Sequence, residues 1–243
     1  MRYLLLLFVK LISTTFWNHR YEWVGEPLPG NRWGDIRLVV ILNHTSLLEW
    51  VFSGMTPNSF MRDVAEHGVV PVAAKTIQRP LVGKFFSVIA AHVVPISRQR
   101  DHTWATVLAK VDDDRSMVII LPEGRMMRKD GLDSEGKPMT LRGGVADLLR
   151  EIPTGRMLLA YSGGLHHVQA PGDKLPRLFK TVRMNFEAFE IADYREKFLA
   201  EHGEKGFRDA VVADLTARRN RHCPVTPGSA PGLEKLREET PPA

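Results

Sequence analysis

From Ile36 onward the chain alternates short apolar runs with helical segments, and this alternation restricts the folds open to it. Ile36-Arg-Leu-Val-Val-Ile-Leu42 reads as a strand apolar enough to be buried on both faces. Val69–Ala74, His92–Ile96, Met117–Leu121 and Met157–Ala160 are further short strands, and Thr181–Phe189 alternates as a strand with one wet face. Helical periodicity falls over Leu47–Met55, Pro80–Ala90, Thr103–Val111 and Val145–Glu151, then over Asp193–His202 and Lys205–Arg219. This order predicts an α/β fold: a mixed, largely parallel sheet flanked by helices.

At 243 residues the chain suits one sizeable domain with small appendages. We expect a membrane-associating helix over 1–20, the main domain over 21–222 and a disordered tail over 223–243, where the sequence is Pro-rich without apolar periodicity. The net charge of +5 suits an anionic membrane surface or a phosphorylated substrate, and is too small to indicate nucleic acid. One cysteine, Cys223, excludes an intrachain disulfide and a Cys-based zinc cluster.

The N-terminus, Met1-Arg-Tyr-Leu-Leu-Leu-Leu-Phe-Val-Lys-Leu-Ile12, is strongly apolar but interrupted by Lys10. Its unbroken run, Tyr3–Val9, falls far short of the ~20 residues that span a bilayer. No clear small-x-small cleavage site follows it. The reading is a helix lying in the membrane interface, with Arg2 and Lys10 at headgroup level and Phe16 and Trp17 as anchors. A core helix of the domain is the alternative.

His44 and Glu49 follow the first apolar strand, in Asn43-His-Thr-Ser-Leu-Leu-Glu49. An imidazole at a strand end with a carboxylate five positions on can form a base and the group that orients it. The two meet only if His44 lies in the turn and Glu49 in the first turns of a helix. Ser46-Leu-Leu-Glu49 is equally a capping box, in which Glu49 reaches back to the backbone of Ser46. This segment alone leaves both readings open.

Three further segments stand in order behind it: Ala74-Lys75 with Pro80 and Gly83, then Val93-Val-Pro-Ile-Ser-Arg98, then Leu121-Pro-Glu-Gly-Arg125. Together the four blocks resemble the glycerolipid acyltransferase family, whose blocks read Asn-His-x4-Asp, Ala-Lys…Pro-x-x-Gly…Phe-Ile-Asp-Arg and Pro-Glu-Gly-Thr-Arg. Met157-Leu-Leu-Ala160 matches a fourth, Pro-rich strand block weakly. The resemblance covers about residues 36 to 165. It implies a transfer of a fatty acyl chain from an acyl-CoA or acyl-carrier-protein thioester to the hydroxyl of a lysophospholipid-type acceptor. By the same resemblance His44 is the general base and Glu49 its orienting acid, while Lys75, Arg98, Glu123, Gly124 and Arg125 bind substrate. No metal or resident cofactor is implied. The implied partners are membrane lipid, the acyl thioester and its carrier protein, and the implied location is the cytoplasmic face of the inner membrane.

The chain departs from the family pattern at three places. Glu49 stands for Asp, as in related acyltransferases acting on lipid A precursors. Ser97 stands where Asp is frequent. Leu121-Pro-Glu-Gly-Arg-Met-Met-Arg128 lacks the Thr between Gly and Arg, so either Arg125 or Arg128 takes the arginine's role.

Two other classes of function fit parts of the sequence. Ala160-Tyr-Ser162-Gly-Gly164 approximates the nucleophile elbow of a serine hydrolase, but the Gly and Pro residues beyond it disfavour the helix an elbow requires. A non-catalytic lipid-binding relative is compatible with the missing Thr. His166-His167 has no metal partner at a recognisable spacing. Arg218-Arg219-Asn-Arg221 reads as a helix end that complements its dipole or meets anionic lipid.

Overall fold

The computed structural model describes residues 1–78, 83, 90–97, 102–111 and 115–226, without the side chains of Lys75 and His102. The helix expected over Pro80–Ala90 lies outside the described residues except at Gly83 and Ala90.

The strands are β1 (Asn18–Trp23), β2 (Ile36–Leu42), β3 (Gly68–Ala73), β4 (His92–Ile96), β5 (Met117–Ile120), β6 (Arg156–Ser162) and β7 (Thr181–Glu190). They form one sheet in the order β1-β7-β6-β2-β5-β3-β4. Every neighbouring pair is parallel except β6 with β7. The sheet is therefore mixed and largely parallel. Because β2, β3, β4, β5 and β6 all run the same way, their carboxyl ends gather along one edge.

β2 is central, which explains its composition. Leu38, Val40 and Leu42 enter one core, with α4 (His102–Ala109), α5 (Gly144–Glu151) and α6 (Ile191–His222). Val39 enters the other, with α1 (Arg2–Phe16) and α2 (Asn58–His67). β6 divides in the same way, Met157, Leu159 and Tyr161 against Leu158 and Ala160. A strand covered on both faces needs apolar residues at both parities. β7 instead alternates buried and partly exposed residues over its first half, as its sequence foretold.

The two helices read near the C-terminus, 193–202 and 205–219, are the two halves of α6, which meet in a kink at Gly203, whose backbone is non-helical (φ 65°). The segment over Leu47–Met55 forms a 3-10 helix, Glu49–Met55, rather than an α-helix. Residues 223–226, read as the start of the tail, are packed into the domain. Cys223 is buried, and Thr226 Oγ1 donates to the carbonyl of Gly163 at 2.9 Å. Residues 227–243 lie outside the described residues.

The N-terminal helix presents a core face, the alternative read from the sequence. Leu6, Val9 and Ser13 are buried, and α1 packs on the 3-10 helix and α2. Lys10 does not point to a headgroup layer: its Nζ donates to the Thr56 carbonyl and to Asn58 Oδ1, both at 2.7 Å. Trp17 is no membrane anchor either. It is 5% exposed, donates Nε1–H to the Arg177 carbonyl and packs edge-on against Trp50. On the opposite face Leu4, Phe8 and Leu11 are 56–68% exposed, a spacing that aligns them as one apolar ridge. Among the described residues no helix is long and apolar enough to cross a membrane.

Candidate active site

The turn after β2 carries His44, and several groups converge to shape it. Asn43 adopts a left-handed conformation (φ 70°), which Asn tolerates better than most side chains. Its Nδ2 donates to the Ser162 carbonyl at 2.8 Å, tying the ends of β2 and β6 together. Glu123, just beyond β5, accepts from the backbone N–H of Asn43 and of His44, one to each oxygen and each at 2.8 Å. Arg219 on α6 approaches the same carboxylate at 3.6 Å. The carbonyl of His44 accepts from Met127 N–H at 2.8 Å. Thr45 Oγ1 accepts from Leu165 N–H at 2.7 Å.

Within this frame His44 Nδ1 lies 2.9 Å from Glu49 Oε1. A carboxylate only accepts, so Nδ1 carries the proton and Nε2 is the basic nitrogen. The same Oε1 accepts from the backbone N–H of Thr45 at 3.2 Å and of Ser46 at 3.3 Å. The capping-box and orienting-acid readings thus coincide in one oxygen: Glu49 reaches back to the turn and holds the ring there. Burial opposes the imidazolium, but the charge and hydrogen bond of Glu49, with the charge of Glu123, outweigh it and raise the His44 pKa above its ordinary 6.5. By linkage, the charged ring stabilises the fold fully below about pH 6.5, and that contribution is lost as pH climbs through the raised value.

His44 and Glu49 line a cavity of about 450 Å³. It extends from the carboxyl ends of the strands into the layer between the sheet and helices α1 and α2. Leu6, Val9, Phe52, Phe60, Met61 and Leu158 are among its walls, so the interior is apolar. Gly124, Arg142, Asp147 and Arg208 line its polar part. Gly124 has φ 64°, and a Cβ there would come 3.3 Å from Arg142 Nε, so a larger residue is disfavoured both by backbone strain and by space.

The other expected site residues are distributed differently. Glu123 does not line the cavity; its carboxylate is 4% exposed and occupied by the His44 turn. Arg125 also points elsewhere: its guanidinium pairs with Asp133 at 2.5 Å and Glu135 at 2.8 Å in the following loop. Arg128 is exposed on that loop. Lys75 is the second residue of α3 (Ala74–Ile77), which follows β3 directly, its side chain outside the described residues, as is all of Arg98. Arg142 and Arg208 were missed because neither stands in a motif: Arg142 precedes the Gly143-Gly144 start of α5, and Arg208 lies within α6.

The hydrolase alternative does not fit. Ser162 is fully buried, and its Oγ accepts from the N–H of Gly164 at 3.0 Å, making it a turn-holding residue. The nearby histidines serve backbone carbonyls: His166 Nε2 donates to Met127 and His167 Nε2 to Thr181, both at 2.8 Å. Among the described residues no cluster of His, Cys, Asp and Glu could hold a metal ion.

Glu123 should prove essential to folding of the turn. Glu123→Ala leaves two buried N–H groups without acceptors, at a cost of about 1–3 kcal/mol each. Chemical denaturation should show a stability loss of about 2–6 kcal/mol; a loss under about 0.5 kcal/mol would contradict this role.

A largely parallel α/β sheet with a histidine–carboxylate pair at the carboxyl ends of its parallel strands, opening into an apolar cavity, defines the class of site. A sequence model described as Acyltransferase matches residues 25–161, more than half of the chain. The chain belongs to the Acyltransferase family. Among solved structures, the 1-acyl-sn-glycerophosphate (LPA) acyltransferase PlsC from Thermotoga maritima is similar in fold, with a TM-score of 0.53. The similarity covers 88% of this chain and 79% of that one at 17% sequence identity, a level that speaks for the fold alone. None of the curated proteins compared matches the chain.

Proposed function

We propose that the chain is an O-acyltransferase of glycerophospholipid synthesis, acting on a lysophospholipid-type acceptor with an acyl-CoA or acyl-carrier-protein thioester as donor. The observation that carries this reading is the His44–Glu49 pair, 2.9 Å apart, at an apolar cavity of about 450 Å³. His44 Nε2 takes the proton from the acceptor hydroxyl as its oxygen attacks the thioester carbonyl carbon. The tetrahedral intermediate then expels the thiolate, which recovers that proton from the imidazolium. Glu49 keeps the proton on Nδ1 and stabilises the transient cation. The acyl chain occupies the apolar part of the cavity.

Arg142 is the proposed ligand of the acceptor's anionic headgroup. It lines the cavity beside Gly124. Arg142→Ala should raise KM for the acceptor by about 10–100-fold and leave KM for the donor unchanged, because a charged hydrogen bond contributes about 1.5–3 kcal/mol. An unchanged acceptor KM would remove this assignment.

The exposed ridge of Leu4, Phe8 and Leu11 supports attachment to a membrane surface, where such an acceptor resides. The cytoplasmic face is part of the proposal, since acyl-CoA and carrier protein are found there. The test is to mix the purified protein with acyl-CoA and total lysolipids, following free thiol and identifying the products by mass spectrometry. Diacyl products with equimolar thiol support the reading. Lysolipid binding without thiol release would favour a non-catalytic lipid-binding relative.

A further inference from the structure

We infer that the loop of residues 171–180 is a second membrane-inserting element, one that docks on an anionic lipid bilayer beside α1. The inference rests on the proposed membrane attachment through α1 and adds a separate site to it.

Pro171-Gly-Asp-Lys-Leu-Pro-Arg-Leu-Phe-Lys180 places three large apolar side chains in solvent: Leu175 is 80% exposed, Leu178 42% and Phe179 68%. Large apolar residues clustered on a surface and surrounded by charge mark a contact with another phase or molecule. Phe179 is the more telling because its backbone is left-handed (φ 58°), a conformation unfavourable for a bulky residue. Its strain is therefore maintained while its ring faces outward instead of filling a core.

The loop is fixed to the domain and needs no ordering upon contact. Phe179 N–H donates to the Phe16 carbonyl at 2.7 Å, and Arg177 N–H to the Val168 carbonyl at 2.8 Å. Trp17 Nε1–H donates to the Arg177 carbonyl at 3.1 Å. The Phe16 and Phe179 rings lie 6.2 Å apart, so the loop adjoins the C-terminal end of α1.

Charge selects the occupant. Lys174, Arg177 and Lys180 accompany the single acid Asp173, which is paired with Arg177 at 3.3 Å and accepts from the Ala170 N–H. Cations flanking exposed Leu and Phe match anionic headgroups above an acyl layer. A second copy of this loop would bring like charges together instead.

The experiment is co-sedimentation with vesicles of equimolar phosphatidylglycerol and phosphatidylcholine. It compares the native chain with a triple variant, Leu175→Ser, Leu178→Ser and Phe179→Asn, in which Asn suits the left-handed backbone. The triple variant should lose roughly tenfold or more in partitioning while retaining its thermal midpoint and its acyl transfer to micellar lysolipid. A fluorophore on Leu175→Cys should shift to the blue and be quenched by spin-labelled lipid; the native Cys223 is buried. Equal partitioning of variant and native chain, or an unresponsive label on bound protein, overturns the loop's role and leaves the α1 attachment standing. A native chain that ignores vesicles overturns both. Loss of self-association in the variant with unchanged vesicle binding assigns the patch to a second copy and overturns the proposal.

Discussion

Replacing His44 by Ala is expected to reduce kcat by about 10²–10⁴-fold, the usual contribution of a positioned general base. The fold should survive. Glu49 keeps its two backbone donors, from Thr45 and Ser46, and Glu123 still holds the turn through the backbone N–H of residue 44. The thermal midpoint should move by less than about 5 °C. Thiol release from acyl-CoA measures the first quantity and circular dichroism the second. Transfer at the native rate in a folded variant would remove His44 from the chemistry.

Glu49→Gln should lower kcat by roughly 10²-fold or more. The amide oxygen keeps the place in which it accepts from Nδ1–H and from the Thr45 and Ser46 N–H groups, so the tautomer is retained and the negative charge is lost. The neutral group fails to stabilise the imidazolium. A purely capping role makes the opposite prediction: a lower thermal midpoint with kcat unchanged. The two are separable because Gln Oε1 can still accept from Thr45 and Ser46.

Those parts of the fold that rest on local pattern were readable in advance. β2 falls where the apolar run places it, Ile36–Leu42, because a strand buried on both faces must be apolar throughout, and the edge strand β4 falls at His92–Ile96 as read although it is only partly buried. β1 was not readable. Asn18-His-Arg-Tyr-Glu-Trp23 is polar and largely exposed, and it is a strand because β7 pairs with it along the sheet edge. That partner lies about 160 residues away, beyond any local signal. α2 was legible in principle, since Phe60, Met61, Val64 and Ala65 form one helical face, but charges on its other face broke the apolar run.

The site divides along the same line. His44 and Glu49 announce themselves through a strand end and a spacing. Glu123 was found by motif and given the wrong partner, because only the fold reveals that its carboxylate meets the β2 turn some 80 residues back. Arg125 was misdirected for a similar reason: Asp133 and Glu135, within its own loop, satisfy it first. The apolar ridge of α1 was legible, while the anchoring of Lys10 and Trp17 inside the domain depended on contacts with Thr56, Asn58 and Arg177.

The dependence of kcat/KM on pH, measured by thiol release for the native chain and for Glu49→Gln, tests the base assignment most directly. Activity should rise with pH as the imidazolium gives up its proton, with a midpoint above 6.5 in the native chain. In Glu49→Gln the residual activity should show that midpoint displaced to lower pH, because burial of the ring is then opposed by Glu123 alone. A limb that stays in place when Glu49 loses its charge, or a profile with no ascending limb, would contradict the account.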